Sequence, residues 1–185
     1  EIKTPLASLS LILDNGGDKG KMKREIKKAE NLTDTILSLS RLDNVHKDKN
    51  IKEIDIRSMV DEAIRDQMSL LIPQGIKIEV EGEGWALTDH MLFSSILRQI
   101  LSNAAKYAPR STVRFSISPH FLTIEDNGPG IPSHEIKRVT EKGYVGERWK
   151  DKNGSGMGLY IVNELSKELS ISFSIESEEG VYTRF

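Results

Sequence analysis

Three short stretches combine polar side chains and glycines in patterns that could do chemistry: "NAAKY" at 103–107, "DNGPGI" at 126–131 and "GSGMGL" at 154–159. In the first, Asn103 and Lys106 stand three apart, which on a helix makes them neighbours on one face. An amide oxygen can ligate Mg2+ and an ammonium can meet a phosphate. A solvated helix face is the plainer reading of the same residues, since exposed polar side chains are the norm. In the second, the strand-like run "FLTIE" gives way to Asp126, Asn127, Gly128, Pro129 and Gly130, which bar any regular helix or strand. That loop is either a surface turn or a place where a ligand comes close to the backbone. In the third, Gly154, Gly156 and Gly158 alternate just before an apolar helix. Backbone N–H groups at a helix start bind anions, and glycines let a phosphate approach. A flexible loop before a helix accounts for the glycines equally well. The common nucleotide motifs do not fit: G-x-x-x-x-G-K-[ST] is absent, and "GSGMGL" lacks G-x-G-x-x-G spacing and a preceding strand.

The elements that would position these stretches follow from periodicity. Leu92, Ile96, Ile100 and Leu101 mark one face of a helix over residues 89–108, with Arg98, Gln99, Ser102, Asn103, Lys106 and Tyr107 on the other. "TVRFSIS" and "FLTIED" read as a hairpin around Pro119 and His120. "IKEIDI" reads as a strand, residues 57–72 as a helix closed by "PQG", and "IKIEVEGEG" and "WALTD" as strands around a turn. A helix over 157–169 and a last hairpin, "ISFSIES" with "VYTRF" around "EEG", complete the pattern. Strands in hairpins with helices between them predict an α/β sandwich: one mixed sheet with helices on one face.

The chain before this part reads differently. Ile2, Leu6, Leu9 and Leu13 form one helical stripe, "DNGGDKG" breaks it, and Met22, Ile26, Ala29, Leu32, Ile36, Leu39 and Leu42 form another. A two-helix hairpin has too little core to stand alone, so the stripe predicts pairing with a second copy as a four-helix bundle. The polar run at 44–50 reads as a linker, and the boundary falls between domains at 1–46 and 47–185.

Composition narrows the options. The 185 residues include 37% hydrophobic and 29% charged ones, with a formal net charge of −2. That mixed surface argues against a nucleic-acid binder. Cysteine is absent, which excludes disulfides and cysteine–zinc sites. No apolar run approaches the roughly 18 residues that span a bilayer, so a membrane part, if any, lies outside this chain.

Taken in order, "NAAKY", "DNGPGI" and "GSGMGL" resemble the N, G1 and G2 boxes of the GHKL ATP-binding fold, shared by sensor histidine kinases, gyrase and MutL. The opening "EIKTPLASL" resembles the phosphoacceptor motif of bacterial histidine kinases, H-E-[IL]-[KR]-T-P-L, beginning one residue late. "EKGYVGER" with "GSGMGLY" is most similar to the short-lidded kinases that partner peptide-antibiotic transporters. Together the likenesses cover nearly the whole chain. They imply an α+β architecture, a dimerisation and phosphotransfer hairpin followed by an ATP-binding domain with Mg2+.

By that resemblance Asp126 would accept a hydrogen bond from the adenine amino group, and Gly128 and Gly130 would let the backbone pass close to the nucleotide. Asn103 would ligate Mg2+, Lys106 would reach the phosphates and Tyr107 would pack near the nucleotide. Gly154, Gly156, Met157 and Gly158 would close on the phosphates from a lid at 131–153. Glu1 and Thr4 would be catalytic, the first orienting a histidine just before it, the second orienting water when the response regulator is dephosphorylated. The lid carries Thr140 where the family usually has an aromatic, and His46, His90, His120 and His134 stand in no acceptor context. The implied partners are a second copy and the receiver domain of a response regulator, and the implied place is the cytoplasmic side of a bacterial cell-membrane protein. The alternatives are a clamp-type ATPase of the same fold and a non-enzymatic dimerisation module.

Overall fold

The computed structural model describes residues 49–149 and 154–185, with Met22 and Ile26 also placed, both helical. The hairpin domain expected at 1–46 otherwise lies outside the described residues, as do Glu1 and Thr4.

Seven strands and three α-helices alternate along the described chain. They are β1 (Ile51–Asp55), α1 (Ile56–Leu71), β2 (Lys77–Gly82), β3 (Trp85–Asp89), α2 (His90–Tyr107), β4 (Thr112–Ile117), β5 (Leu122–Asp126), α3 (Gly158–Glu168), β6 (Glu176–Glu178) and β7 (Tyr182–Arg184). A short 3₁₀ turn, Ile72–Gln74, follows α1, and another, Glu147–Trp149, follows the loop after β5. Two strand-to-helix switches use the same device. Asp55 caps α1 by accepting from the backbone N–H groups of Arg57 and Ser58, and Asp89 caps α2 by accepting from those of Met91 and Leu92.

The main sheet has the order β2-β4-β5-β7-β6. Its one parallel pair is β2 with β4, and the remaining pairs are antiparallel, so it is mixed as expected. Val113, Phe115, Ile117 and Ile124 point from this sheet into one core with Val60, Leu97, Leu101, Val162 and Leu165 from the three helices. The alternate strand positions carry exposed ion pairs, Arg114 with Glu79 at 2.9 Å and Arg184 with Glu125 at 2.6 Å. One face packs on helices and the other faces water, which is why these strands alternate cleanly.

The sequence pattern misplaces two features. β2 and β3, expected as strands around one turn, belong to different sheets: β3 pairs with β1 in a separate two-stranded ribbon. The reason is local. Gly82 turns with φ +80° while its Cα lies against the Ile117 carbonyl, leaving no room for a side chain, so the chain hugs β4 and cannot fold back on β2. The Ile56 amide then binds the Gly84 carbonyl at 2.9 Å and ties the turn to α1. The last hairpin is also shorter than "ISFSIES" suggests, with β6 restricted to Glu176–Glu178; Phe173 instead stacks on Phe185 at 6.2 Å between ring centroids.

Candidate functional site

Between α2, the ends of β5 and β7, and the loop at 129–149 lies a cavity of about 210 Å3. Helical spacing explains its α2 wall. Leu97, Ile100, Leu101, Ala104 and Ala105 are buried toward the core, which turns Gln99, Ser102, Asn103, Lys106 and Tyr107 to the cavity. Arg98, on the same polar side in sequence, instead bonds the Ser94 hydroxyl at 2.7 Å and faces Asp66 at 3.8 Å.

Asp126 ends β5 at the cavity floor and is only 8% exposed. Its Oδ1 accepts from the Gly128 N–H at 3.0 Å. Burial pushes its pKa up from 3.8 to about 6; the Gly128 bond opposes this and the charge of Glu125 adds to it. A carboxylate desolvated in this way has strong reason to find a further N–H donor. Opposite it in the β5–β7 register stands Thr183, 6% exposed and also lining the cavity. Thr183 was not singled out from the sequence; only the pairing of β7 with β5 reveals it.

The loop after Asp126 is thin because protein packs on it from both sides. Asn127 extends the β4–β5 ladder, its Oδ1 accepting from the Thr112 N–H at 2.7 Å. A side chain at Gly128 would collide with Ala108, at the end of α2, and with Asp126 Oδ1. Gly130, with φ +64°, presses against the Glu178 backbone. The Gly180 N–H binds the Pro129 carbonyl at 2.8 Å and the Ile131 N–H binds the Ser177 hydroxyl at 2.8 Å. Gly130 lines the cavity, whereas Gly128 sits behind Asp126.

The glycine stretch meets α2 from the other side. A Cβ on Gly154 would lie 2.7 Å from both Lys106 Nζ and the Tyr107 hydroxyl, and one on Gly158 would lie 3.0 Å from Asn103 Oδ1 and 3.3 Å from Gln99 Oε1. Absence of side chains thus brings the Gly154 backbone close to the Lys106 ammonium and that of Gly158, at the start of α3, close to two amide oxygens. Gly156 (φ +65°) and Gly158 line the cavity, and Met157 turns away into the core. Lys106 also lies 5.1 Å from the Tyr107 ring centroid. Burial raises the Tyr107 phenol pKa.

The roof comes from residues that the sequence placed only within the lid at 131–153. Tyr144, Arg148 and Trp149 line it, as does the buried Glu135. Trp149 packs on Tyr107 at 5.4 Å, and the Arg138 guanidinium covers the Tyr144 ring at 4.5 Å. Single polar residues in an irregular loop carry no periodic signal, so nothing in the chain's pattern could rank them. His90, His120 and His134 are all exposed, and none of them lines the cavity.

The geometry divides the cavity chemically. One end offers a buried acceptor, Asp126; the other offers Lys106, two amide oxygens and glycine backbone at a helix start. A ligand with an N–H donor on a flat ring at one end and anionic groups at the other fits both.

Comparison with known proteins agrees. The family described as histidine kinase-, DNA gyrase B- and HSP90-like ATPase matches residues 88–185. The sensor protein BceS of Halalkalibacterium halodurans is 31% identical over 194 residues, a match that takes in all of this chain and 58% of that protein. The chain therefore spans little more than half the length of this relative. Among solved structures, the fold resembles Acinetobacter baumannii histidine kinase AdeS, with TM-score 0.70 and 18% identity over 98% of this chain and 93% of that one. It also resembles full-length ShkA in complex with AMPPNP, with TM-score 0.70 and 18% identity over 90% of this chain and 37% of that one.

Proposed function

Since the chain belongs to the histidine kinase-, DNA gyrase B- and HSP90-like ATPase family, we propose that its cavity binds ATP with Mg2+ and that it is the catalytic part of a sensor histidine kinase of the BceS-like type. The observation that carries this reading is the polarity of the cavity: a desolvated carboxylate, Asp126, at one end and Lys106 with the 154–158 glycines at the other.

Asp126 accepts from the adenine amino group, beside the Thr183 hydroxyl, and so selects the base. Tyr107 packs against the nucleotide, and Lys106 meets its phosphates. Asn103, with Gln99 near it, supplies the hard amide oxygen that suits Mg2+. The metal, when bound, neutralises charge on the phosphates. Gly156 and Gly158 leave room for phosphate oxygens at the start of α3. Phosphoryl transfer then depends on positioning more than on covalent chemistry by the protein. In our proposal the acceptor is a neutral imidazole immediately before Glu1. Glu1 holds its second nitrogen, and Thr4 orients water when the phosphorylated response regulator is dephosphorylated. The hairpin dimerises, and the phosphoryl group passes to an aspartate of a response regulator. No helix among the described residues is long and apolar enough to cross a membrane; the proposal places any membrane part elsewhere in the protein.

The test compares this chain with one extended upstream through a histidine. Both should bind Mg·ATP by calorimetry. After incubation with γ-labelled ATP, only the extended chain should carry acid-labile, base-stable phosphate. Binding with hydrolysis but no label would favour a clamp-type ATPase, and no binding by either would leave a dimerisation module.

A further inference from the structure

Among the described residues three carboxylates are buried: Asp89, Asp126 and Glu135. Asp89 caps α2 and Asp126 forms the cavity floor. Glu135 is 5% exposed, yet it lies in an irregular loop and has no place in the scheme above. Its surroundings assign it a job.

The backbone of Glu135 is pinned first. Its N–H binds the Pro132 carbonyl at 2.9 Å, and its own carbonyl accepts from Arg138 at 2.8 Å and Val139 at 3.1 Å. From this fixed base the side chain reaches across to a segment twelve residues on. Oε1 accepts from the Glu147 N–H at 2.9 Å. Gly146 closes on the other oxygen so tightly that a Cβ there would lie 2.5 Å from Oε2. His134 Nε2 stands 4.0 Å from Oε1 on the exposed side. The segment held in this way leads directly into Arg148 and Trp149, which face the cavity. Arg148 reaches Glu179 at 2.8 Å, at the β6–β7 turn, and so spans the cavity mouth. We infer that Glu135 is a positioning residue: its buried carboxylate latches residues 144–149 over the cavity and so sets Arg148 and Trp149 against the nucleotide.

The physical case rests on what the carboxylate would otherwise lack. A buried carboxyl group persists only when hydrogen-bonded, and this loop offers it the Glu147 N–H and the Tyr144 hydroxyl. Latch and loop therefore stabilise each other, while the rest of the loop has no ladder to hold it.

The ligand named here rests on the ATP reading; the latch itself does not, and the experiment separates them. In the full chain, Trp85→Phe leaves Trp149 as the sole tryptophan, since the chain has two. Trp85 is 63% exposed on the β1–β3 ribbon and tolerates the change. Glu135→Leu removes the acceptor at similar volume, and Glu135→Gln keeps an acceptor oxygen. Without nucleotide, Glu135→Leu should raise acrylamide quenching of Trp149 about twofold, and with Mg·ATP it should weaken binding about fivefold, the factor one lost hydrogen bond carries. Glu135→Gln should stay near the parent in both. Gly146→Ala, which crowds the same oxygen while keeping the carboxylate, should raise quenching too and serves if Glu135→Leu does not fold. Unchanged Trp149 quenching in a folded Glu135→Leu or Gly146→Ala protein overturns the latch, as does Glu135→Gln failing to the same degree as Glu135→Leu. If quenching shifts but the parent binds no ATP, the latch stands and the ligand reading falls.

Discussion

The floor and roof of the cavity are built by different means. The floor residues ride on regular structure: Asp126 and Thr183 sit opposite each other in the β5–β7 register, and Asn103 and Lys106 follow the α2 repeat. The roof, from Pro132 to Trp149, has no ladder. It stands on single contacts, among them the Glu135 latch, the Gly143 N–H to the Gly156 carbonyl at 3.1 Å, and the Arg148–Glu179 pair. Regular elements share their stability with the whole core, whereas isolated contacts can open one at a time. The difference suits a site whose floor is preformed and whose roof closes on its ligand.

The largest effect expected from this division is a trade at Asp126 between stability and function. Its carboxyl has a folded pKa raised from 3.8 to about 6. Between those values the folded chain binds a proton that the unfolded chain has released, so stability falls as pH rises from about 4 to about 6 and is level above. The total is on the order of 3 kcal/mol before solvent screening. Asp126→Asn should abolish that slope and raise the melting temperature of the nucleotide-free protein at neutral pH, read from thermal unfolding across a pH series. A variant that keeps the slope would show that Asp126 is not the desolvated group.

The same substitution should weaken nucleotide binding by roughly 1–3 kcal/mol, since it can turn an amide N–H₂ toward a ligand donor. Because Asp126 reads the base, adenosine and ATP should lose affinity alike by calorimetry. A loss confined to ATP would move Asp126 to the phosphate end.

Gly156→Ala probes the opposite end. The residue has φ +65° and lies against the Gly143 backbone, so a side chain there is strained and displaces the loop. A cost of about 1–3 kcal/mol follows in urea unfolding. ATP affinity should drop while adenosine affinity holds, the reverse of the even loss at Asp126. Equal losses would erase the distinction between the two ends.

The smallest effect belongs to Arg148→Ala. Its pair with Glu179 is about half exposed on both sides, so stability should change by at most about 1 kcal/mol. ATP affinity should fall by a similarly small amount, since the latch sets Arg148 against the nucleotide; unchanged affinity would leave Arg148 as a bridge across the cavity mouth alone.

Much of this was legible before any coordinates. The α2 repeat, the β4–β5 hairpin around Pro119 and the helix after Gly158 all appear where local periodicity places them. The three polar and glycine stretches converge on one cavity, as their likeness to ATP-binding boxes implied. The hidden parts depended on partners far away in the chain. The separation of β2 from β3 turns on Gly82 meeting Ile117, and the loop glycines turn on Ala108 and Glu178. Gly128 and Gly130 looked like room left for a ligand; each also makes room for protein.

The sequence by itself determined which residues could bind, because side-chain type and the periods of helix and strand are written residue by residue. It determined as well that Asp126 would close a strand and that Asn103 and Lys106 would share a face. Only the tertiary structure decided what those groups meet. The raised Asp126 pKa comes from burial, which is a property of the packed core and not of the aspartate. Thr183 reaches the floor through strand pairing across 57 residues, and Glu135 becomes a latch only once Gly146 and Glu147 fold back on it. Contacts between distant segments are set by how layers pack, and no local repeat encodes them.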